Sequence, residues 1–262
     1  MKKKSWDKST LLLFFAGIIL IAVALGMLIP SLLDYKKSND TYQELNDEFV
    51  QMVADTEESA GQEAENPDWW YEDVEINLKE LKNINPDIVG WIRFDNITQL
   101  SYPVLYSGDD EKYLRTDIYG DSTTAGCIFM EGMNNPDFND YHTILYGHNM
   151  KNSSMFGTLK NYKTTDFYEE NQYFTIYTED MAYRYQIFSY RDVPETDEVY
   201  SVGFMPDETF QNFINEMVKK SYYDTGVKVT KEDRVLTLST CSTTGNRFVV
   251  HAVRVAEHAI EQ

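Results

Sequence analysis

The chain has little cysteine: two residues, Cys127 and Cys241, in 262. A disulfide framework is therefore excluded as its source of stability, although a single Cys127–Cys241 pair is compatible with the composition. Such a pair would disable Cys241 if that thiol is reactive. Basic residues are also scarce, with 23 Lys and Arg against 43 Asp and Glu. Residues 1–33 hold four lysines and one aspartate, so residues 34–262 carry 19 basic and 42 acidic side chains, a balance of −23. A surface of that sign repels phosphate backbones, and no nucleic-acid partner is expected. The chain contains no G-x-S-x-G, H-E-x-x-H, P-loop or C-x-x-C pattern. His142 and His148 with Asp140 have a weak ligand spacing, and no metal is expected.

One long apolar run is present. Lys8 and Asp34 bracket 25 residues without a charge, and residues 10–29 are almost continuously apolar. Twenty helical residues rise about 30 Å, the thickness of a bilayer's hydrocarbon core. Lys2, Lys3, Lys4 and Lys8 precede the run, and only Lys36 and Lys37 follow it closely. That asymmetry places the N-terminus inside and everything after about residue 33 outside. Ala22-Val-Ala24 resembles a signal-peptide cleavage site, but the run continues through Leu25, Met27, Leu28 and Ile29. An uncleaved single-pass anchor is the expectation. The resulting organisation is a cytoplasmic N-terminus over 1–9, an anchor over 10–30, an acidic stalk over 31–75 and a folded domain over 76–262.

Residues 34–75 contain 14 acidic and two basic side chains. Tyr42, Leu45, Phe49 and Met52 fall at helical spacing, so the segment reads as a solvated stalk, helical in part. Val74, Leu78 and Leu81 predict a second helix, ended by Asn85-Pro86. From Trp91 the pattern changes to short β-type runs over 91–94, 102–105, 126–130, 143–146, 173–177, 182–190, 235–240 and 247–255. Eight strands suffice to close a small barrel, so the fold class is mainly β. One helix interrupts them, because Phe210, Phe213, Ile214, Met217 and Val218 recur at i, i+3, i+4, i+7 and i+8, with Asp207 placed as its cap.

The chemistry concentrates around Cys241. Strand alternation puts Leu236, Leu238 and Thr240 on one face and Val235, Thr237, Ser239 and Cys241 on the other. With the leucines inward, Cys241 lies at the strand's exit, away from the core. Residues 242–246 form a five-residue connection with a Gly-Asn turn signal, so a hairpin sets Cys241 opposite Arg247. A guanidinium there favours the thiolate and can donate to an oxyanion. The competing reading is a cysteine serving as a small hydrophobe, beside an arginine that solvates a turn. A thiol nucleophile needs a proton-transfer partner. His148 follows a strand and a glycine in Tyr146-Gly-His-Asn149 and leads on geometry, with His142 second. His251 lies about 13 Å along the strand from Arg247, too far to serve, and His258 is read as a solvated tail residue.

These residues resemble a known family. Thr237-Leu-Ser-Thr-Cys241 followed by Arg247 resembles the signature of sortases, the membrane-anchored cysteine transpeptidases of Gram-positive bacteria. Asn85-Pro-Asp-Ile-Val-Gly-Trp-Ile92, Tyr146-Gly-His-Asn-Met150 with Met155-Phe156, and the helix before the cysteine strand resemble class B in particular. The resemblance implies an eight-stranded sortase barrel with N-terminal helices and one long helix before the cysteine strand. It implies Cys241 as nucleophile, His148 as general acid/base, Arg247 as oxyanion or substrate stabiliser, and Ser239 beside the bound peptide. No cofactor is implied. The implied partners are secreted proteins with an NPxTN-like or related C-terminal sorting signal, a peptidoglycan-precursor amine such as lipid II, and the membrane. The connection from Cys241 to Arg247 is shorter than in many sortases, and Cys127 is read as packing. Two alternatives stand beside this reading: another exported cysteine enzyme of peptidoglycan (a hydrolase or L,D-transpeptidase), and a membrane-tethered binding module with an inert Cys241.

Overall fold

The structure, a computed structural model, describes residues 8–52, 69–72, 74–241 and 245–260. Helix α1 (Lys8–Phe49) carries the apolar run straight into the acidic segment. Between Leu11 and Leu33 its large apolar side chains are exposed all round. A helix that is apolar on every face and unburied suits lipid, and this one is long enough to cross a bilayer. Beyond Asp34 the apolar residues narrow to one stripe, and Tyr42, Leu45 and Phe49 are buried. The expected solvated stalk is thus, over this part, docked on the domain. Three large side chains at i, i+3 and i+7 supply about 1.5–3 kcal/mol each on burial, which holds the helix down while its acidic face stays in water. Residues 53–68 of the same stretch lie outside the described residues.

Strand β1 (Val50–Met52) pairs antiparallel with β2 (Val74–Ile76), which follows the short α2 (Trp69–Glu72). Val74, expected in a helix, is therefore in a strand. Helix α3 (Leu78–Ile84) starts only after Asn77, whose side chain accepts from the Glu80 amide at 3.1 Å, and it ends at Asn85 as expected.

Eight strands then close a barrel: β3 (Ile88–Phe94), β4 (Ser101–Leu105), β5 (Ile128–Met130), β6 (His142–Tyr146), β7 (Tyr173–Tyr177), β8 (Met181–Pro194), β9 (Val235–Cys241) and β10 (Asn246–Ala259). Each expected run contributes one strand, with β8 and β10 longer than their apolar patterns. The order around the barrel is β10-β8-β7-β3-β4-β5-β6-β9. The β4–β5 and β6–β9 pairs are parallel, and the others are antiparallel. Helix α4 (Thr165–Glu170) lies between β6 and β7, and α5 (Glu208–Lys219) between β8 and β9.

Leu236 and Leu238 of β9 join Phe248, Val250 and Ala252 of β10 in the main core with Trp91, Phe94 and Ile128. Val235 and Val253, on the opposite faces of those strands, pack under α5 with Phe188, Phe210, Ile214 and Met217. The second face of β9 is therefore covered over most of its length. Asp207 caps α5 as expected, accepting from the amides of Thr209 at 2.9 Å and Phe210 at 3.1 Å.

Candidate active site at the β6–β9–β10 rim

Strand pairing lines up three residues at one end of the barrel. β9 and β10 form a hairpin whose register sets Arg247 opposite Cys241. On the other side of β9, the parallel pairing sets Tyr146 of β6 level with Ser239. The Gly147 amide extends this ladder by donating to the Ser239 carbonyl at 3.1 Å, so His148 leaves the end of β6 beside the last residues of β9. Adjacent strands lie about 4.8 Å apart, so His148, Cys241 and Arg247 occupy neighbouring positions across one rim. The side chain of Cys241 and residues 242–244, most of the short connection, lie outside the described residues.

His148 is half-buried and held from below. Its Nε2 lies 2.7 Å from the Leu114 carbonyl, which can only accept. The ring proton is therefore on Nε2, and the neutral ring carries its lone pair on Nδ1. Burial lowers the His148 pKa below its ordinary value, and the charges of Arg115 and Arg247 add to that, against the opposing pull of the Leu114 carbonyl. The residue before it must be glycine: a Cβ on Gly147 would collide with Ile128 Cδ1 and stand 2.7 Å from Phe156 Cδ2. Glycine lets the chain leave β6 against the core and present an imidazole at the rim.

Arg247 is partly exposed, with Nη2 3.0 Å from Glu195 Oε2. Glu195 follows β8, and its amide donates to the Gly245 carbonyl at 3.3 Å. An exposed pair of this kind adds little stability, but it directs the guanidinium. Asp110, Leu114, Phe129, Tyr146, His148, Ser239 and Arg247 all line one cleft of about 160 Å³. Within it Ser239 Oγ lies 3.0 Å from the hydroxyl of Tyr200, and Tyr146 donates to Glu131 Oε2 at 2.6 Å. Burial raises the Glu131 pKa, with the nearby Asp110 charge contributing. Tyr200, Leu114 and Glu195 carry no signal in the sequence, because each meets a cleft residue (Ser239, His148 and Arg247 respectively) from a segment remote from it in the chain.

The other histidines are engaged elsewhere. His142 and His251 are fully buried on either side of Thr237. His142 Nδ1 lies 2.7 Å from the Ser201 carbonyl, His142 Nε2 lies 2.7 Å from Thr237 Oγ1, and Thr237 Oγ1 lies 2.8 Å from His251 Nδ1. The carbonyl fixes the direction: with neutral rings His142 Nδ1 donates to Ser201, Thr237 donates to His142 Nε2, and His251 Nδ1 donates to Thr237. This chain ties β6, β9 and β10 together beneath the rim. His258, expected in solvent, is half-buried and stacks on Tyr71 with ring centroids 3.6 Å apart. Cys127 is a free, buried thiol whose Sγ lies 3.2 Å from the Thr116 carbonyl; burial pushes its pKa up to about 12, so it stays protonated.

The chain is similar over this whole region to proteins already characterised. A family model described as the sortase domain matches residues 94–255. The chain belongs to the sortase family. Sortase B of Staphylococcus aureus is 30% identical over 240 residues, which is 90% of this chain and 92% of that protein. The sortase B crystal structure from Bacillus anthracis in complex with AAEK1 superposes with a TM-score of 0.71 at 31% identity, over 86% of this chain and 99% of that one. A Staphylococcus aureus sortase B–substrate complex gives 0.70 at 30% identity, over 86% and 100%. This sortase is thus of class B, a cysteine transpeptidase built on the eight-stranded barrel, with an apolar N-terminal helix that fits membrane anchoring.

Proposed function

We propose that this sortase cleaves the C-terminal sorting signal of secreted proteins after a threonine and transfers the new carboxyl end to an amine of the cell-wall precursor. Cys241 is the nucleophile, His148 the general acid/base and Arg247 the oxyanion stabiliser. The single observation that supports the assignment is the register across β6, β9 and β10, in which Arg247 pairs with Cys241 and Tyr146, two residues before His148, pairs with Ser239, while His148 and Arg247 line one cleft. In the first half-reaction His148 Nδ1 takes the proton of the Cys241 thiol, and the resulting thiolate forms a C–S bond with the threonine carbonyl carbon. The displaced electron pair rests on oxygen, against the Arg247 guanidinium. Collapse breaks the C–N bond, and the departing amine takes its proton from His148 Nδ1, since Nε2 is committed to Leu114. In the second half-reaction the acceptor amine loses a proton to His148 Nδ1, attacks the thioester and releases the thiolate. Water completes the same step slowly when no amine is present.

Ser239, with its hydroxyl in the cleft beside Tyr200, contacts the bound peptide. The signal is NPxTN-like or a related sequence, and the acceptor is a lipid-linked peptidoglycan precursor. Residues 10–30 span the membrane with 1–9 inside, and 76–262 act outside the cell. Incubating residues 34–262 with NPxTN-, SPxTG- and LPxTG-type peptides tests the reading. Cleavage between threonine and the next residue, abolished in Cys241→Ala, is expected. A folded protein that cuts none of them, or a Cys241→Ala variant that cuts as well as the parent, would refute it.

A further inference from the structure

We propose that α1 is a rigid strut that seats residues 121–124 on the lipid headgroups and so holds the cleft at a fixed height above the membrane. The proposal rests on α1 as the membrane anchor and commits to the headgroup layer as the partner of this loop. A flexible tether needs slack between the last apolar residue and the first contact with the domain. Here there is none. Leu33 is followed directly by Asp34, whose carboxylate accepts from both the amide and the hydroxyl of Thr124, with the amide at 3.0 Å. The same helix face continues upward in an unbroken series. Lys37 Nζ meets Asp121 Oδ2 at 2.8 Å, and Ser38 Oγ meets Thr123 Oγ1 at 2.7 Å. Tyr42 donates to the Gly126 carbonyl at 2.6 Å, and Asn46 donates to the Ser101 carbonyl at 2.9 Å.

Helix geometry converts this series into heights. From Asp34 to Ser38 the axis rises about 6 Å, and each headgroup layer is about 5–7 Å thick. With the apolar face ending at Leu33, residues 121–124 lie within that layer. Asp121, Ser122 and Thr124 present exposed polar groups to it, and Lys37 offsets the Asp121 charge. The far end of α1 is bound to α3, where the Asn77 amide donates to the Phe49 carbonyl at 3.2 Å. That contact is about 22 Å further up the axis from Asp34. Pro30 lies below Asp34, so any kink it introduces tilts the strut without lengthening it.

The seated loop is also close to the chemistry. The Thr123 amide donates to the Arg115 carbonyl at 2.9 Å, and the neighbouring Leu114 carbonyl holds His148. A single backbone hydrogen bond, from Thr123 to the residue next to Leu114, therefore links the headgroup contact to the imidazole's support. A lipid-borne acceptor meets the cleft at a set distance and does not have to search the volume swept by a loose stalk.

The test uses the full chain in phosphatidylcholine/phosphatidylglycerol vesicles containing a lipid with a nitroxide on its headgroup. A thiol-reactive fluorophore is placed at Ser122→Cys or Lys79→Cys, both exposed positions, in a Cys241→Ala background. Severalfold stronger quenching at position 122 than at position 79 is expected. A twelve-residue Gly-Ser insertion after Leu33, with a root-mean-square span of about 20 Å, should erase most of that difference, because it adds slack below every docking contact. Equal quenching at the two positions in the uninterrupted chain, or a difference that survives the insertion, overturns the strut. Because the readout needs no catalysis, loss of peptide cleavage would leave it intact. Release of the chain by alkaline extraction would instead defeat the anchor reading, and the strut with it.

Discussion

Mild acid should loosen the strand trio that carries the site, and His142 gives the size of the effect. Both ring nitrogens of His142 are used in a chain that requires a neutral ring, and burial lowers its pKa to about 4. An unfolded histidine titrates near 6.5, so between about pH 6.5 and 4 the unfolded state binds a proton that the folded state refuses. Stability therefore rises with pH across that window, is fully present above it, and is lost as pH falls through it. The shift corresponds to about 3 kcal/mol in all, of which about 2 kcal/mol is lost between pH 7 and 4.5. Against a typical total of about 5–15 kcal/mol, that is a substantial fraction. Urea unfolding of residues 34–262 at the two pH values, for the parent and for His142→Gln, isolates the contribution. Glu131 is shifted in the opposite sense but is common to the two proteins and cancels; His251 is depressed in the same direction, mainly by burial and in part by the His142 charge, so the substitution relieves that part too and adds to the expected difference in the same sense. The variant should lose about 2 kcal/mol less than the parent on acidification. Equal losses, or a His142 ring that titrates near 6.5 by NMR in the folded parent, would refute the reasoning.

Arg247→Lys keeps a positive charge opposite Cys241 but loses the planar fork, and peptide cleavage should fall by about 100-fold or more in kcat, with the fold unchanged; near-parental kcat would remove the oxyanion role. Gly147→Ala forces a Cβ into Ile128 and Phe156, and should cost about 1–3 kcal/mol in thermal or urea unfolding, with His148 displaced and activity reduced. A variant as stable and active as the parent would show that the rim yields freely at this point.

Local patterns made much of this architecture legible. Every barrel strand announced itself by apolar and β-branched residues, α5 by its i, i+3, i+4 stripe and Asp207, and the Cys241–Arg247 pairing by a short connection with a turn signal. The placement of His148 was legible only as a preference. Its place beside the end of β9 comes from the parallel β6–β9 pairing, which joins segments more than 90 residues apart and leaves no trace in either one. Tyr200 over Ser239, Leu114 under His148 and Glu195 beside Arg247 were not readable for the same reason. Residues 34–49 misled through composition: acidic side chains dominate the average, while Tyr42, Leu45 and Phe49 decide where the helix goes. The outer face of β9 carries the polar Thr237 and Ser239, and it is nevertheless buried. Their hydroxyls are bonded to His142 and Tyr200, and such paired groups sit as well inside as out.

The most direct test of the account maps the covalent intermediate. Residues 34–262 are quenched in acid during turnover of a cleaved peptide, digested and sequenced by mass spectrometry. The account predicts a thioester-linked acyl group, carried through the threonine carboxyl, on the fragment containing Cys241, absent in Cys241→Ala and accumulating when the acceptor amine is omitted. An acyl group on Cys127, or rapid turnover with no adduct on either cysteine, would contradict it.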